Sequence, residues 1–252
     1  MNRRVLAGLA LVAVLLLAGC FGPSEIPEED LTGEASYDWE TNATTTFNLS
    51  RSSYTTVVEI QNRTELTVWQ RDRLGTDNPV DLQALQFRFE NGTVVNATQA
   101  NLSATRTGDN TVIDLPAENG TVAYTAARTG KRFSAPAFVE GSYELLLPPS
   151  TRIGVPLLSQ ASPGGYLTSV SEDRMTVRWD EVSDGTLTVR YYLQRDLLLF
   201  GGLAAIVLLA GGGGSVYYLW QLRTLEERRK QMGDDIDYDE DPRDDGPPPG
   251  MG

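Results

Sequence analysis

The chain has 252 residues, of which 34 are acidic and 21 are basic, for a formal net charge of −13. This balance argues against nucleic-acid binding, which needs a basic surface. The chain has no histidine and a single cysteine. That composition excludes Ser-His and Cys-His nucleophile systems, imidazole metal ligands and an intrachain disulfide, and we expect neither a metal nor a cofactor.

The N-terminus has the layout of a signal peptide. Arg3 and Arg4 precede an uninterrupted apolar run over residues 5–17. Those thirteen residues are fewer than the ~20 that a membrane-spanning helix needs. Small residues, Ala18-Gly19, follow the run, as they do at a signal-peptide cleavage site. We therefore predict a signal peptide over residues 1–19.

The residue after this site is the chain's only cysteine, Cys20. The sequence Leu17-Ala18-Gly19-Cys20 resembles the lipobox of lipoproteins, and the resemblance implies that cleavage leaves the Cys20 thiol to carry a lipid. The acidic, threonine-rich composition includes only two lysines, Lys131 and Lys230. Together with the box it resembles the surface lipoproteins of halophilic archaea. The alternative is an unrelated cysteine after an ordinary signal peptide.

Residues 20–35 contain Pro23, Pro27 and the acidic run Glu28-Glu29-Asp30. This composition is typical of an extended linker. We predict a lipidated acidic tether over residues 20–35.

From residue 36 the apolar residues recur with a period of two, which indicates β-strands. Leu85, Phe87 and Phe89 alternate with polar residues before Asn91-Gly92, which predicts a hairpin into residues 93–95. Gly108-Asp109 predicts a second hairpin. Further strands are expected over residues 54–60, 65–70, 102–105, 111–115 and 121–126. Short strands at this spacing favour an antiparallel β-sandwich, and we assign residues 36–133 to a glycosylated β-unit.

Residues 134–196 form the predicted membrane-proximal β-unit. Within it a strand over 141–147 is ended by Pro148-Pro149, and strands over 175–179 and 187–193 flank Ser183-Asp184-Gly185 as a predicted hairpin. The segment is near the lower size at which a domain folds alone. It either packs as a second unit or completes a single sheet system with the first.

Glycosylation acceptors are unusually dense in the first β-unit. Nine asparagines follow the signal peptide, and seven of them lie in Asn-X-Ser/Thr. Ser and Thr fill 37 of the 176 positions from 21 to 196, so chance predicts about two acceptors. Such acceptors indicate an exported surface. Two of them, Asn91-Gly92 and Asn119-Gly120, also look like type I′ turns. The predicted sites are Asn42, Asn48, Asn62, Asn91, Asn96, Asn101 and Asn119.

Residues 197–222 contain no charged residue, which predicts a transmembrane helix. Tyr217, Tyr218 and Trp220 lie near its end, where aromatic rings meet the water interface. The basic residues just beyond predict that this end is cytoplasmic, so residues 21–196 are extracellular and 223–252 form a helix extension and a disordered acidic tail. These basic residues are Arg223, Arg228, Arg229 and Lys230.

Gly201-Gly202 and Gly211–Gly214 interrupt the apolar span. Small residues let a second membrane helix approach closely, so this glycine-rich helix is a candidate contact for an envelope or membrane-protein partner. Glycine is also simply frequent in membrane helices.

Candidates for catalysis are few. A Ser/Lys pair could use only Lys131 outside the membrane, and Asp180, Glu181 and Asp184 cluster where turn residues are ordinarily acidic. We expect a non-enzymatic cell-surface lipoprotein, bound to membrane lipid, with a binding or structural role in the cell envelope. The alternatives are a signalling or membrane-complex assembly subunit that couples the ectodomain to a cytoplasmic partner, and a carboxylate-dependent extracellular hydrolase.

Overall fold

A computed structural model describes residues 24–234, except Arg73 and Thr98. The chain divides into two compact units, one through Gln194 and one from Arg195 onward. The predicted signal peptide at 1–19, the lipidation site Cys20 and the acidic tail from residue 235 lie outside the described residues.

The first unit is built from short strands in four sheets. An eight-stranded sheet has the order β15-β16-β12-β2-β3-β10-β6-β7, a five-stranded sheet the order β1-β8-β9-β4-β5, a three-stranded sheet the order β11-β17-β14, and β13 pairs with β18. The bounds are β1 Ser24–Glu25, β2 Thr45–Leu49, β3 Ser53–Ile60, β4 Glu65–Arg71, β5 Asp77–Pro79, β6 Leu82–Arg88, β7 Val94–Asn96, β8 Ser103–Thr107, β9 Asn110–Asp114, β10 Gly120–Ala127, β11 Arg132–Pro136, β12 Gly141–Leu146, β13 Thr151–Arg152, β14 Gln160–Ser162, β15 Leu167–Ser171, β16 Arg174–Val182, β17 Thr186–Arg190 and β18 Tyr192–Leu193.

The prediction of a mainly β, antiparallel ectodomain followed by one apolar helix is confirmed. Strands β3, β4, β6, β9, β10, β12 and β16 lie where the period-two pattern predicts them. The hairpins through Asn91-Gly92 (β6 with β7) and Gly108-Asp109 (β8 with β9) are both present.

Inward-facing residues of the three larger sheets form one buried cluster. β2 shows why the strands fold this way: Thr45, Phe47 and Leu49 are buried and alternate with half-buried Thr46 and Asn48. Alternating side chains point to opposite faces of a sheet, so one face of β2 joins the core.

One pairing in the large sheet is parallel. β2 and β12 run side by side with Phe47 opposite Leu145, and every other pairing of described strands is antiparallel. β2 belongs to the first predicted β-unit and β12 to the second. Strands of residues 36–133 and 134–196 therefore share one sheet and one core, which is the single sheet system considered above.

The predicted hairpin around Ser183-Asp184-Gly185 is wrong. Its first strand, β16, pairs with β12 and β15, whereas its second, β17, pairs with β11 and β14 in another sheet. The chain changes sheets at this connection. Val177 and Val189 are both buried in the core. The same alternation of apolar and polar residues would bury them if the two strands formed a hairpin, so the sequence pattern does not distinguish a hairpin from two strands in different sheets.

The type I′ assignments are also corrected. A type I′ turn needs positive φ at both central residues, and neither Asn91 nor Asn119 is among the described residues with positive φ. At the first site the backbone N–H of Phe89 donates to the Thr93 carbonyl, so the loop has three residues, 90–92, where a type I′ hairpin has two. At the second, Gly120 already lies in β10 with φ of +152°, and a Cβ there would collide with the Phe87 ring. Close packing, not a hairpin, requires that glycine.

The predicted tether at 20–35 is folded from Ser24 onward. Ser24–Glu25 pairs with β8, and a short helix, α1 (Glu28–Leu31), follows. Ile26 and Leu31 are buried in the main core. These two apolar side chains anchor an otherwise acidic segment, and burying each stabilises the fold by about 1.5–3 kcal/mol.

The chain then covers the outer face of the large sheet. Tyr37 packs with Val57, Ala84 and Ala123 in a second, smaller buried cluster, and its hydroxyl donates to the Ala84 carbonyl at 2.6 Å. Burial raises the pKa of Tyr37 to about 12, so the hydroxyl stays protonated as this donor. Trp39 packs edge-on against Tyr37.

The second unit contains the long helix α2, Gln194–Asp234. The helix begins three residues before the predicted span and continues beyond residue 222, as the predicted extension requires. It is long enough and apolar enough to cross a membrane, and its most apolar window is fully exposed.

Candidate functional site

The structure places six of the seven predicted glycosylation acceptors on the exposed surface. Several lie in turns, where a glycan can project into solvent without displacing packed side chains. Asn62 and Asn101 adopt φ of 51° and 59°, a conformation that asparagine tolerates better than most residues. The exposed acceptors are Asn42, Asn62, Asn91, Asn96, Asn101 and Asn119.

The seventh acceptor, Asn48, is different. It lies half-buried in β2, a central strand of the large sheet. Its side-chain oxygen accepts a hydrogen bond of 2.7 Å from Arg174, and the same guanidinium donates to the carbonyls of Leu147 and Leu49. Burial lowers the pKa of Arg174 from its ordinary value. Asn48 therefore holds a partly buried cation in place.

Two exposed acceptors share one surface depression. The backbone N–H of Asn62 donates to the side chain of Asn119 at 3.0 Å, and both residues line an open depression of about 540 Å³. Three carboxylates from separate segments line it too: Glu40, Glu59 and Glu90.

Sequence reasoning missed this group of acids because their segments are far apart along the chain. All three are exposed. Glu40 pairs with Arg88 at 2.8 Å, and Glu59 accepts from Gln61 at 2.9 Å. A glycosidase acid typically sits in an apolar pocket, and these carboxylates do not.

The residues singled out for catalysis in the sequence are all exposed. Asp180 and Glu181 are exposed on β16, Asp184 is exposed in the connection to β17, and Lys131 is exposed between β10 and β11. Asp180 pairs with Arg178 at 3.1 Å. Within the part of the chain that the structure describes, no three acidic or cysteine side chains are grouped as metal ligands would be.

A polar network lies at the C-terminal end of the β-unit, just before the apolar helix in the chain. The hairpin of β15 and β16 turns through Glu172 and Asp173, both at positive φ. Asp173 accepts from the Ser150 hydroxyl at 2.5 Å and from Arg152 at 3.1 Å. Together these contacts join the hairpin to β13.

The same network holds the last residues of the unit. Thr151 and Arg152 pair with Leu193 and Tyr192, and the backbone N–H of Gln194 donates to the Ser150 carbonyl at 3.1 Å. With its side-chain oxygen oriented toward Arg152, Gln194 also accepts two hydrogen bonds of 3.1 Å from the Arg152 guanidinium. The chain thus leaves the β-unit from a hydrogen-bonded clamp, which we call the exit network: Ser150, Arg152, Asp173 and Gln194.

The exit network favours an ionised carboxylate. The Ser150 hydroxyl and, after it, the Arg152 guanidinium hold the pKa of Asp173 below its ordinary value. Ser150 itself has φ of 59°. Two residues of the network, Ser150 and Asp173, therefore have positive φ without being glycine, and such conformations persist only where surrounding contacts fix them. The pairing of β15 and β16 could have been predicted from Glu172-Asp173 between two β-rich runs.

The helix α2 presents apolar side chains on every side. Leu198, Leu208 and Leu209 are each more than 70% exposed. Tyr217 and Trp220 are ring neighbours near the end of the apolar run, with centroids 6.5 Å apart. A helix that is apolar all round is typical of a membrane span or a deeply buried core helix, and this one is exposed.

Comparison with known protein families identifies one match. The sequence profile of a family of unknown function, DUF5803, matches residues 41–237. The chain belongs to this family. The match covers nearly the whole β-unit and all of α2. No curated protein matches the chain at a significant level.

Among solved structures, the chain shows a weak likeness to a mutant M1 zinc metallopeptidase from Deinococcus radiodurans bound to a Tyr-Ser-Ala substrate. The two are 11% identical, the TM-score is 0.33, and the match covers 59% of this chain. This chain spans 41% of that structure's length. A likeness of this size supports no conclusion about fold or activity.

Proposed function

We propose that this DUF5803 member is a lipoprotein of the cell surface whose β-domain serves the cell envelope as a non-enzymatic binding or structural module. The observation that carries the proposal is the exposed, uncharged stretch of α2 from Leu197 to Leu222. Exposed apolar surface of this extent is strongly unfavourable in water. At 1.5 Å per residue its 26 residues reach about 39 Å, which exceeds the ~30 Å of a bilayer's hydrocarbon core.

Charge supports the orientation. Four basic residues lie within eight positions of the end of the span, at Arg223, Arg228, Arg229 and Lys230. Basic residues are retained on the cytoplasmic side. The β-domain is then extracellular, which is also where its exposed asparagine acceptors would meet a glycosylation machinery.

The N-terminal anchor rests on the lipobox resemblance at Cys20. The first described strand begins at Ser24, four residues later. Four fully extended residues span at most about 14 Å. A lipid on Cys20 would therefore hold the β1 end of the domain within about that distance of the bilayer surface, a much shorter reach than a free tether over 20–35 would give.

Signalling or complex assembly is the second candidate, and the exit network favours it. Asp173, Arg152 and Ser150 fix the residues from which the chain leaves the β-domain. Deleting residues 233–252 should be silent for an envelope module and damaging for a signalling subunit.

The test of the double anchor compares four forms of the protein: the full chain, Cys20→Ser, a chain ending after Gln194, and both changes together. Membranes are washed at high pH, and the protein is followed by immunoblot. We expect the full chain and each single change to stay with the membrane and the combined form to be released. Release after the truncation alone would show that Cys20 carries no anchor. Retention of the combined form would mean that a third attachment holds the protein, which would contradict the double anchor.

A further inference from the structure

A small cavity of about 220 Å³ lies between β4 and β11 on the β-domain. Its aromatic floor is formed by Tyr54 and Phe133, whose rings meet edge to face at 5.1 Å. Burial raises the pKa of Tyr54 well above its ordinary value, so this floor is neutral. The volume is below the ~300 Å³ of pockets for drug-sized ligands, which suits a single sugar or a small ion.

Among the residues that the structure describes, three arginines line the cavity: Arg71, Arg128 and Arg132. This is a concentration of positive charge on a domain where, from 21 to 196, only 14 of 176 residues are basic. Arg71 is already neutralised by a bidentate pair with Asp77, at 2.7 and 2.9 Å. The remaining two guanidiniums determine what the cavity can bind.

Arg128 is a buried cation, only 8% exposed. Its two terminal nitrogens donate to the carbonyls of Ser50 and Gly130 at 2.8 Å, and its guanidinium stacks over Tyr191 at 5.5 Å. Its Nε is buried with no hydrogen-bond partner, and no carboxylate of the described residues pairs with it. Buried charges are ordinarily paired with an opposite charge, and the Arg128 guanidinium has no such anionic partner among the described residues.

Arg132 is exposed at the start of β11 and has no ion pair or hydrogen-bonding side chain among the described residues. Of the described residues that line the cavity, the one with a carboxylate is Asp72, which accepts from the N–H groups of Thr76 and Leu74 in its own turn. Those bonds lower its pKa and hold it there. Within the described part of the chain, the guanidiniums of Arg128 and Arg132 have no carboxylate partner, and Asp72 offsets only one of their two charges, so the cavity has a net positive charge.

We propose that this cavity binds a small oxyanion, a carboxylate, phosphate or sulfate, either free or carried on one sugar-sized molecule. Guanidinium groups match the planar geometry of such anions and bind them through charge-assisted hydrogen bonds. Gln70, Asn78 and Ser134 add polar side chains to the walls. This ligand class deepens the binding role proposed above for the β-domain.

The test measures thermal unfolding of the full chain in detergent by tryptophan fluorescence while sulfate, phosphate, glucuronate or glucose is added. Ionic strength is held constant with sodium chloride, because screening alone changes the stability of an acidic protein. A ligand that binds only the folded state raises the midpoint in a saturable way. We expect this for at least one oxyanion and not for glucose.

The variant Arg132→Gln removes an exposed charge without disturbing buried contacts, and Arg178→Gln is the matched control outside the cavity. Arg132→Gln should raise the apparent Kd by about tenfold or more, and Arg178→Gln should leave it unchanged. Tight binding of glucuronate assigns the oxyanion to a sugar, and binding of sulfate or phosphate alone assigns it to a free ion.

No saturable response to any oxyanion would overturn the proposal, as would equal weakening in both variants. Because the measurement is made in detergent, membrane orientation does not enter it. The ligand proposal and the membrane proposal can therefore fail separately.

Discussion

Phe47 of β2 and Phe133 of β11 pack with ring centroids 5.0 Å apart. One belongs to the eight-stranded sheet and the other to the three-stranded sheet. Phe138, Tyr54 and Tyr143 lie within 6.4 Å of the same Phe47 ring. This aromatic group joins the eight-stranded and the three-stranded sheets, which we call the two halves of the β-domain, so the halves should unfold together.

Truncating Phe47 tests that coupling. Phe47→Ala should lower the free energy of unfolding by about 3–5 kcal/mol, because a fully buried ring is lost and a cavity remains. Leu74→Ala is the control, since that side chain is 91% exposed and its loss should cost less than about 0.5 kcal/mol. Denaturant unfolding should show one transition for both variants. Two separated transitions in Phe47→Ala would mean that the halves are independent.

The seven acceptors should not be glycosylated equally. We expect Asn48 to have the lowest occupancy, because it is half-buried and bound to Arg174, whereas the other six are exposed. Glycopeptide mass spectrometry of the protein from its native membrane gives the occupancy at each site. High occupancy at Asn48 with bare sites elsewhere would mean that accessibility in the folded domain does not control modification.

The exit network should depend on pH through Asp173. The pKa of its carboxyl is lowered in the folded state, so its charge stabilises the fold at pH values above the ordinary pKa of 3.8. That contribution is lost as the pH falls through the lower folded pKa. Asp173→Asn should therefore lower the melting temperature at neutral pH and match the wild type in strong acid.

Asparagine tolerates the positive φ of this position, so the Asp173→Asn substitution changes charge and little else. Glu172→Gln, at the neighbouring position of the same turn, is the control and should have a much smaller effect. A difference between wild type and Asp173→Asn that stays constant from neutral pH to strong acid would contradict the role given to the carboxylate.

The sequence predicted strands well and their partners less well. The alternation of Leu85 and Phe87 with polar neighbours specifies a strand with one buried face. It does not specify which strand lies beside it, because Val177 and Val189 reach the same core from two different sheets. The parallel contact of β2 and β12 joins residues almost 100 positions apart, and no local pattern encodes that.

The candidate sites also differ in whether neighbouring residues encode them. The Asn-X-Ser/Thr acceptors and the apolar helix are local patterns, so the sequence alone predicts them. Residues 20–35 were predicted to be a tether because acidic residues dominate the segment, and the two isolated apolar residues Ile26 and Leu31 gave no periodic pattern. The arginine cavity was not predicted, because Arg71 in β4 and Arg128 just after β10 are far apart in the chain and meet only after folding.

The central claim is that the β-domain lies outside the cell and the tail inside. Single-cysteine reporters test it directly: Asp184→Cys in an exposed connection of the β-domain and Gly246→Cys in the tail. Each is exposed to a membrane-impermeant maleimide on intact cells and after permeabilisation. The unmodified chain is the blank, because a lipid on Cys20 leaves no free thiol.

We predict that Asp184→Cys is labelled on intact cells and that Gly246→Cys is labelled only after permeabilisation. Labelling of Gly246→Cys on intact cells, with Asp184→Cys protected, would reverse the topology and contradict the account.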